Sequence, residues 1–331
     1  MLLQSATVVL LFVSSCCRSH IFSTTYCTAY HFAYDANFNS FELDKRFDNM
    51  DWTSADLAAF NIVVQDQDQD TFFDGPLPDY SGFPGFIEKE EIVIPRNLSF
   101  IPLGHSVERA RKDMDASPFE AQPSFDALLR SLLMFMKYYD SQSHPAHSFV
   151  TTSSQIRMIV RNEFAVTIAN VGVEHGFSKA VPYPKLTLLI LQHNKPPIKV
   201  SDPEAHLIAT AIGAFQKNKK AKLGTEFEEQ VVLGITTAEQ IIPTFYKIKV
   251  TSELDRAVRL GEKPKTQTVV WRHKARVPKP YDDIMILENR RRIVLYLEGF
   301  KIFLLEQCHD FYCPSSYCQE CSTMCRVKGC R

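Results

Sequence analysis

Six residues, Leu186-Thr-Leu-Leu-Ile-Leu191, constrain the fold more than any other stretch of this chain. A strand without polar alternation is buried on both faces, so the protein must lay material on either side of it. Asp202-Pro203-Glu204 then opens a helix. Asp202 accepts from the orphan N–H groups of the first turn, Pro203 suits the first helical position, and Glu204 complements the positive end of the dipole. Leu207, Ile208, Ala211 and Phe215 form its expected apolar stripe, and the cations of Lys217-Asn-Lys-Lys-Ala-Lys222 suit its C-terminal end.

The same reading extends in both directions. Phe125, Leu128, Leu129, Leu132, Leu133 and Met136 recur at helical spacing, with Ser124 as the expected cap. Strands are expected at 155–160, 164–169, 231–236, 244–250 and 268–271. Ser252 and Asp255 bracket a short helix ending at Gly261, and Ile293, Leu297, Phe300 and Leu304 line a closing helix. From residue 124 the order is α-β-β-β-α-β-β-α-β-α. The expected class is therefore α/β (α+β), with an αβββαβ-type mixed sheet flanked by helices. Phe60–Val64 is a further strand candidate, but residues 41–120 otherwise read as irregular and rich in turns. The alternating aspartates of Gln65-Asp-Gln-Asp-Gln-Asp70 do not make a calcium loop. Counted from Asp66, the sixth and twelfth positions hold Thr71 and Leu77, where an EF-hand needs Gly and Glu.

The cysteines divide the chain. Cys16, Cys17 and Cys27 lie near the start, Cys308, Cys313, Cys318, Cys321, Cys325 and Cys330 near the end, and none between. The body reads as a fold that needs no disulfide. The expected division is an apolar extension at 1–40, the turn-rich segment 41–120, an α/β domain at 121–305 and a Cys-rich, disordered tail at 306–331. Ala6–Val13 has the length of a signal-peptide core and is too short to span a bilayer, so no transmembrane helix is expected. An intracellular location is expected, and export through a signal peptide is the alternative. Under export the tail cysteines would form disulfides. Otherwise Cys313, Cys318, Cys321 and Cys325 are candidate zinc thiolates, with Cys318 and Cys321 at C-x2-C spacing.

Five phrases carry a resemblance: Ala59-Phe-Asn-Ile-Val-Val-Gln-Asp-Gln-Asp68, Thr71-Phe-Phe-Asp-Gly-Pro-Leu-Pro-Asp-Tyr80, Asp202-Pro-Glu-Ala-His-Leu-Ile-Ala209, Pro243-Thr-Phe-Tyr-Lys-Ile-Lys-Val-Thr251 and Val269-Val-Trp-Arg-His273. Together they resemble a large family of uncharacterised proteins from mushroom-forming fungi, over about residues 43–305. The αβββαβ order is similar to that of PD-(D/E)XK nucleases. In the fungal family the buried third strand ends in a Gln-Glu-Asp-Lys phrase preceded by a strand bearing an Asp. That pattern implies an Asp and a Glu sharing Mg²⁺, with the Lys orienting the attacking water.

This chain departs from the pattern. The matching phrase is Gln192-His193-Asn194-Lys195, so both acids are replaced and only Gln192 and Lys195 remain. No Asp lies between Asp140 and Asp202, and the segment expected to supply one reads Lys179-Ala-Val-Pro-Tyr-Pro-Lys185. An imidazole beside a carboxamide is a poor Mg²⁺ site. Candidates for a carboxylate displaced to another position are Glu163, Glu174 and Glu204.

The expected function is a catalytically inactive nuclease-like domain that binds nucleic acid or protein, with no cofactor. The alternative is an active nuclease in which one displaced carboxylate restores Mg²⁺. Candidate phosphate contacts are Lys217, Lys219, Lys220 and Lys222 on one helix and Arg290, Arg291 and Arg292 on another. The net charge of -1 offers no global attraction to nucleic acid. No nucleotide-binding, serine-hydrolase or zinc-protease motif occurs.

Overall fold

The computed structural model describes residues 52–78, 106, 122–136, 138, 146–177, 186–193, 202–221, 228–237, 242–276 and 286–312. All of them belong to one compact unit, Asp48–Arg331. The elements are α1 (Ser54–Ala59), β1 (Ile62–Asp66), α2 (Gln69–Phe72), α3 (Gln122–Phe135), β2 (Ala146–Val160), β3 (Glu163–Phe177), β4 (Leu186–His193), α4 (Pro203–Ala221), β5 (Glu229–Thr237), β6 (Pro243–Thr251), α5 (Ser252–Leu260), β7 (Thr268–Lys274) and α6 (Leu287–Tyr312). The fold is mixed α/β. The seven strands among the described residues form one sheet in the order β1-β7-β6-β5-β4-β3-β2. The β1–β7 and β4–β5 pairs are parallel and the rest antiparallel.

Short-range chemistry places most of the ends. Asp202 accepts from the N–H groups of Glu204 and Ala205 at 3.1 and 3.0 Å, which starts α4 as expected. Thr251, one residue before the expected Ser252, caps α5 by accepting from Leu254 N–H. Gly261 ends α5 with φ 74, the left-handed conformation that glycine adopts without strain. Arg161 and Asn162 both have positive φ and turn β2 into β3, as a two-residue hairpin requires. Each of these strands has 15 residues, far more than the sequence predicts. Helix α3 begins at Gln122, so Ser124 lies within it rather than before it.

Strand β4 is buried on both faces, but unequally. Val173 opposes Leu189 while Glu174 opposes Thr187, so Leu188 is an extra residue, a β-bulge. The bulge turns Leu186, Leu188, Leu189 and Leu191 toward one core and leaves Thr187 and Ile190 to the other. The first core also holds Phe72, Phe73, Leu128, Leu132, Phe245, Leu297 and Phe300, from α2, α3, β6 and α6.

Around α4 the expected apolar stripe is corrected. Every residue from Ala205 to Gln216 is buried, not one face. The strands lie on one side of the helix, through Ile62, Val232, Ile248 and Val270. The outer half of the β2–β3 hairpin covers another, through Ile156, Met158, Val160 and Ala165. A Cβ at Gly213 would meet Ile156 Cγ2 at 2.9 Å, so glycine is what permits this approach. The hairpin tip is held where Val258 and Arg259 of α5 accept from the N–H groups of Arg161 and Asn162. Asp56 of α1 pairs with the Arg161 side chain.

Two domain expectations need correction. Residues 52–78, within the segment read as irregular, supply β1 to the sheet and bury Trp52, Phe72 and Phe73. Two of the alternating aspartates there make defined contacts from the surface: Asp66 holds Arg272, and Asp68 caps α2 by accepting from Thr71 N–H and hydroxyl. At the other end, α6 runs past residue 305 to Tyr312. The expectations for residues 1–40 and for Cys313, Cys318, Cys321 and Cys325 fall outside the described residues. Among those described, no helix is long and apolar enough to cross a membrane.

Candidate functional site

The C-terminal ends of β1, β7, β5 and β4 share one edge of the sheet with the N-terminus of α4. Open α/β sheets bind ligands at this kind of edge. Ile190, Gly234, Tyr246, Arg272 and Asp66 are register partners in one lateral row across β4, β5, β6, β7 and β1. Register partners project to the same side of a sheet. A Cβ at Gly234 would meet Leu207 Cδ2 at 2.7 Å, so glycine lets α4 settle on the row and brings Glu204 above it.

Arg272 links the group. Its Nε and Nη2 donate to the two oxygens of Asp66 at 2.6 and 2.9 Å, a bidentate pair. Its Nη1 donates to Glu204 Oε2 at 2.7 Å. The Tyr246 hydroxyl donates to the same oxygen at 3.0 Å and accepts from Thr236 at 3.3 Å. The guanidinium holds the Asp66 carboxyl below the usual carboxylate range. Burial, then the Glu204 charge, pushes the Tyr246 phenol up. The cluster brings two carboxyl groups, one guanidinium and one phenol together. Both oxygens of Asp66 accept from Arg272, and Glu204 Oε2 accepts from Arg272 and Tyr246, so a guanidinium lies between the two carboxyl groups. No group of three His, Cys, Asp or Glu side chains suited to a metal occurs among the described residues.

No protein-family model matches the chain, and no curated protein is significantly similar to it.

The sequence candidates fare differently. Gln192 and His193 end β4, paired with Thr236 and Thr237 beside the cluster. Asn194, Lys195 and Lys222 fall outside the described residues. The expected source of the missing Asp, residues 179–185, also lies outside them. The part of β3 flanking Gln192–His193 is the stretch next to Val171, the partner of Leu191.

Glu163 is exposed at the hairpin turn. Glu174 is buried at the opposite end of α4 and salt-bridged to Lys217 at 2.5 Å. Of the three displaced carboxylates only Glu204 reaches the cluster.

The described basic candidates are spread over two helices and are partly engaged within the fold. Lys217 also donates to Thr187 Oγ1, and Lys219 donates to Ser252 and lies over the Phe215 ring. Arg290 is fully buried, and Arg292 donates to Gln69 Oε1. Lys220 and Arg291 are the exposed members. Helices α4 and α6 pack into different cores.

The Lys217–Glu174 pair yields a stability prediction. The Glu174 side chain is 8% exposed and that of Lys217 is 32% exposed. Lys217→Ala strands a buried carboxylate and is expected to cost about 3 kcal/mol in urea unfolding. Glu174→Gln is expected to cost clearly less, because the long Lys217 stem can carry its charge to water.

Sequence reasoning missed the meeting of Asp66, Tyr246 and Arg272, and weighed Glu204 both as a helix-dipole partner and as a displaced carboxylate. A signal was present. Asp66, Glu204, Tyr246 and Arg272 each lie in one of the phrases that carry the fungal resemblance.

Proposed function

We propose that this chain is a catalytically silent, nuclease-like α/β domain that serves as a binding module. The observation that carries the reading is Arg272 held between Asp66 and Glu204 at the strand-end edge. A nuclease of this type needs carboxylates free to hold a cation there. Here a guanidinium supplies the positive charge from within the chain. The order α3-β2-β3-β4-α4-β5 supports the nuclease-like ancestry, and His193 and Asn194 in place of two acids support the loss of catalysis.

A protein partner suits the surface better than nucleic acid. The described cations that would meet phosphate are largely engaged within the fold, while Phe164 at the hairpin and Leu260 at the end of α5 stay 66% and 41% exposed. Exposed aromatic side chains on a rigid element are typical anchors for protein contacts.

The purified chain is expected to release no product from single- or double-stranded DNA or RNA with Mg²⁺ or Mn²⁺. Its residual affinity for them should collapse as salt is raised. Metal-dependent cleavage by the wild type that disappears in Lys195→Ala would sink this reading and favour the active alternative.

A further inference from the structure

His273 follows Arg272 on β7 and points to the opposite face of the sheet, into the core under α2 and α6. It is 3% exposed. Its Nδ1 lies 3.0 Å from the carbonyl oxygen of Gln67. A carbonyl only accepts, so Nδ1 carries the proton and Nε2 a bare lone pair. Rings of Phe72, Phe73 and Tyr296 surround the imidazole at centroid distances of 5.6, 5.5 and 5.3 Å. Nε2 is buried and has no hydrogen-bond partner.

We propose that His273 is a proton-operated latch on residues 67–75, the segment that carries α2. Neutral, the imidazole ties Gln67 to β7 and tolerates an apolar cage around Nε2. A proton taken from solvent onto Nε2 creates a buried N–H donor with nothing to accept it, beside two guanidinium groups. The segment must then open to hydrate it. The partners it would leave are local. Gln67 N–H donates to Arg272 O at 2.8 Å, and Gln69 accepts from Arg292 and from the Tyr296 hydroxyl. Asp66 precedes the segment, so opening also loosens the bidentate grip on Arg272 and connects this core to the strand-end cluster.

The charges facing the ring come from every packed element. Asp68, Asp70 and Asp74 lie on the segment, Lys247 on β6 over the Phe72 ring, Arg276 just after β7, and Arg292 with Tyr296 on α6, while Asp66, Arg272 and Lys274 lie on the other face of the sheet. Burial depresses the His273 basicity most; the Gln67 carbonyl and Asp68 oppose this, and Arg276 and Arg292 add to it. Because the folded value lies below the ordinary 6.5, the unfolded or opened chain takes up protons more readily. The latch is therefore fully closed above that value and weakens as pH falls toward and through the folded one.

The test is hydrogen exchange on the full chain from pH 7.5 to 5.0, read as protection factors. In the wild type the amides of Gln67, Phe72, Phe73 and Gly75 should lose protection severalfold relative to those of β4 and β5. In His273→Phe, which fills the cage and cannot titrate, that differential loss should vanish. Imidazole nitrogen shifts of the wild type give a second readout should the variant not fold. They should report the Nδ1–H tautomer and a midpoint below the ordinary value. An Nε2–H tautomer, an unshifted midpoint, or equal loss of protection in β4 and β5 overturns the latch.

Discussion

Phe72→Ala is expected to lower the free energy of unfolding by about 3–5 kcal/mol, a sizeable part of the stability of an ordinary domain. Phe72 is fully buried. It packs edge-on to Phe73 at 5.0 Å and stacks with Phe300 of α6 at 6.3 Å, under the ammonium of Lys247 at 5.0 Å. Truncation opens a cavity between the sheet and α6 that rigid neighbours on both sides cannot close. The measurement is the midpoint of a urea transition at unchanged slope. An effect within about 0.5 kcal/mol, the usual result at surface positions, would mean that residues 52–78 are the irregular appendage their composition suggests.

Asn218→Ala is expected to cost about 3 kcal/mol by a different mechanism, the stranding of buried polar groups. The bulge at Leu188 leaves Thr187 short of its parallel partner, because pairing with β5 begins at Leu189. Asn218 replaces the missing strand. Its Oδ1 accepts from Thr187 N–H at 2.8 Å, and its Nδ2 donates to Thr187 O at 2.7 Å and to Gln230 Oε1 at 2.9 Å. All of this is fully buried at Asn218. Asn218→Asp keeps the acceptor but loses the donor and buries a charge, so it should be no better than alanine. If Asn218→Asp unfolds at the wild-type midpoint, the amide is not bridging the start of β4. Gln216 does the same for the edge strand β2, accepting from Ile159 N–H at 2.7 Å and donating to Ile159 O at 3.1 Å. Amide side chains on α4 thus stand in for strands at two places where the sheet pattern stops.

What could be read without the structure is what short-range physics controls. Asp202, Pro203 and Glu204 start α4 because a cap acts within three residues, and Gly261 ends α5 because only its own φ matters. The apolar run Leu186–Leu191 declared a strand covered on both faces, and the helical spacing of Ile293, Leu297, Phe300 and Leu304 declared the buried face of α6. None of this says which strand lies beside which. Gln65–Asp70 falls in a stretch that reads as turn-rich because its partner is far away: Arg272 is 206 positions from Asp66, and the polar pattern carries no trace of that distance. Lys217 and Arg290 look like surface cations because charge runs usually are, yet one is paired with a buried Glu174 and the other has no exposed surface. The strand-end cluster exists only once β1 pairs with β7, β7 with β6, and Gly234 admits α4. Caps and periodicity are settled by neighbours a few residues away and were legible. The meeting of Asp66, Glu204, Tyr246 and Arg272 is settled by strand order and helix approach, which are free energies of the whole packed chain.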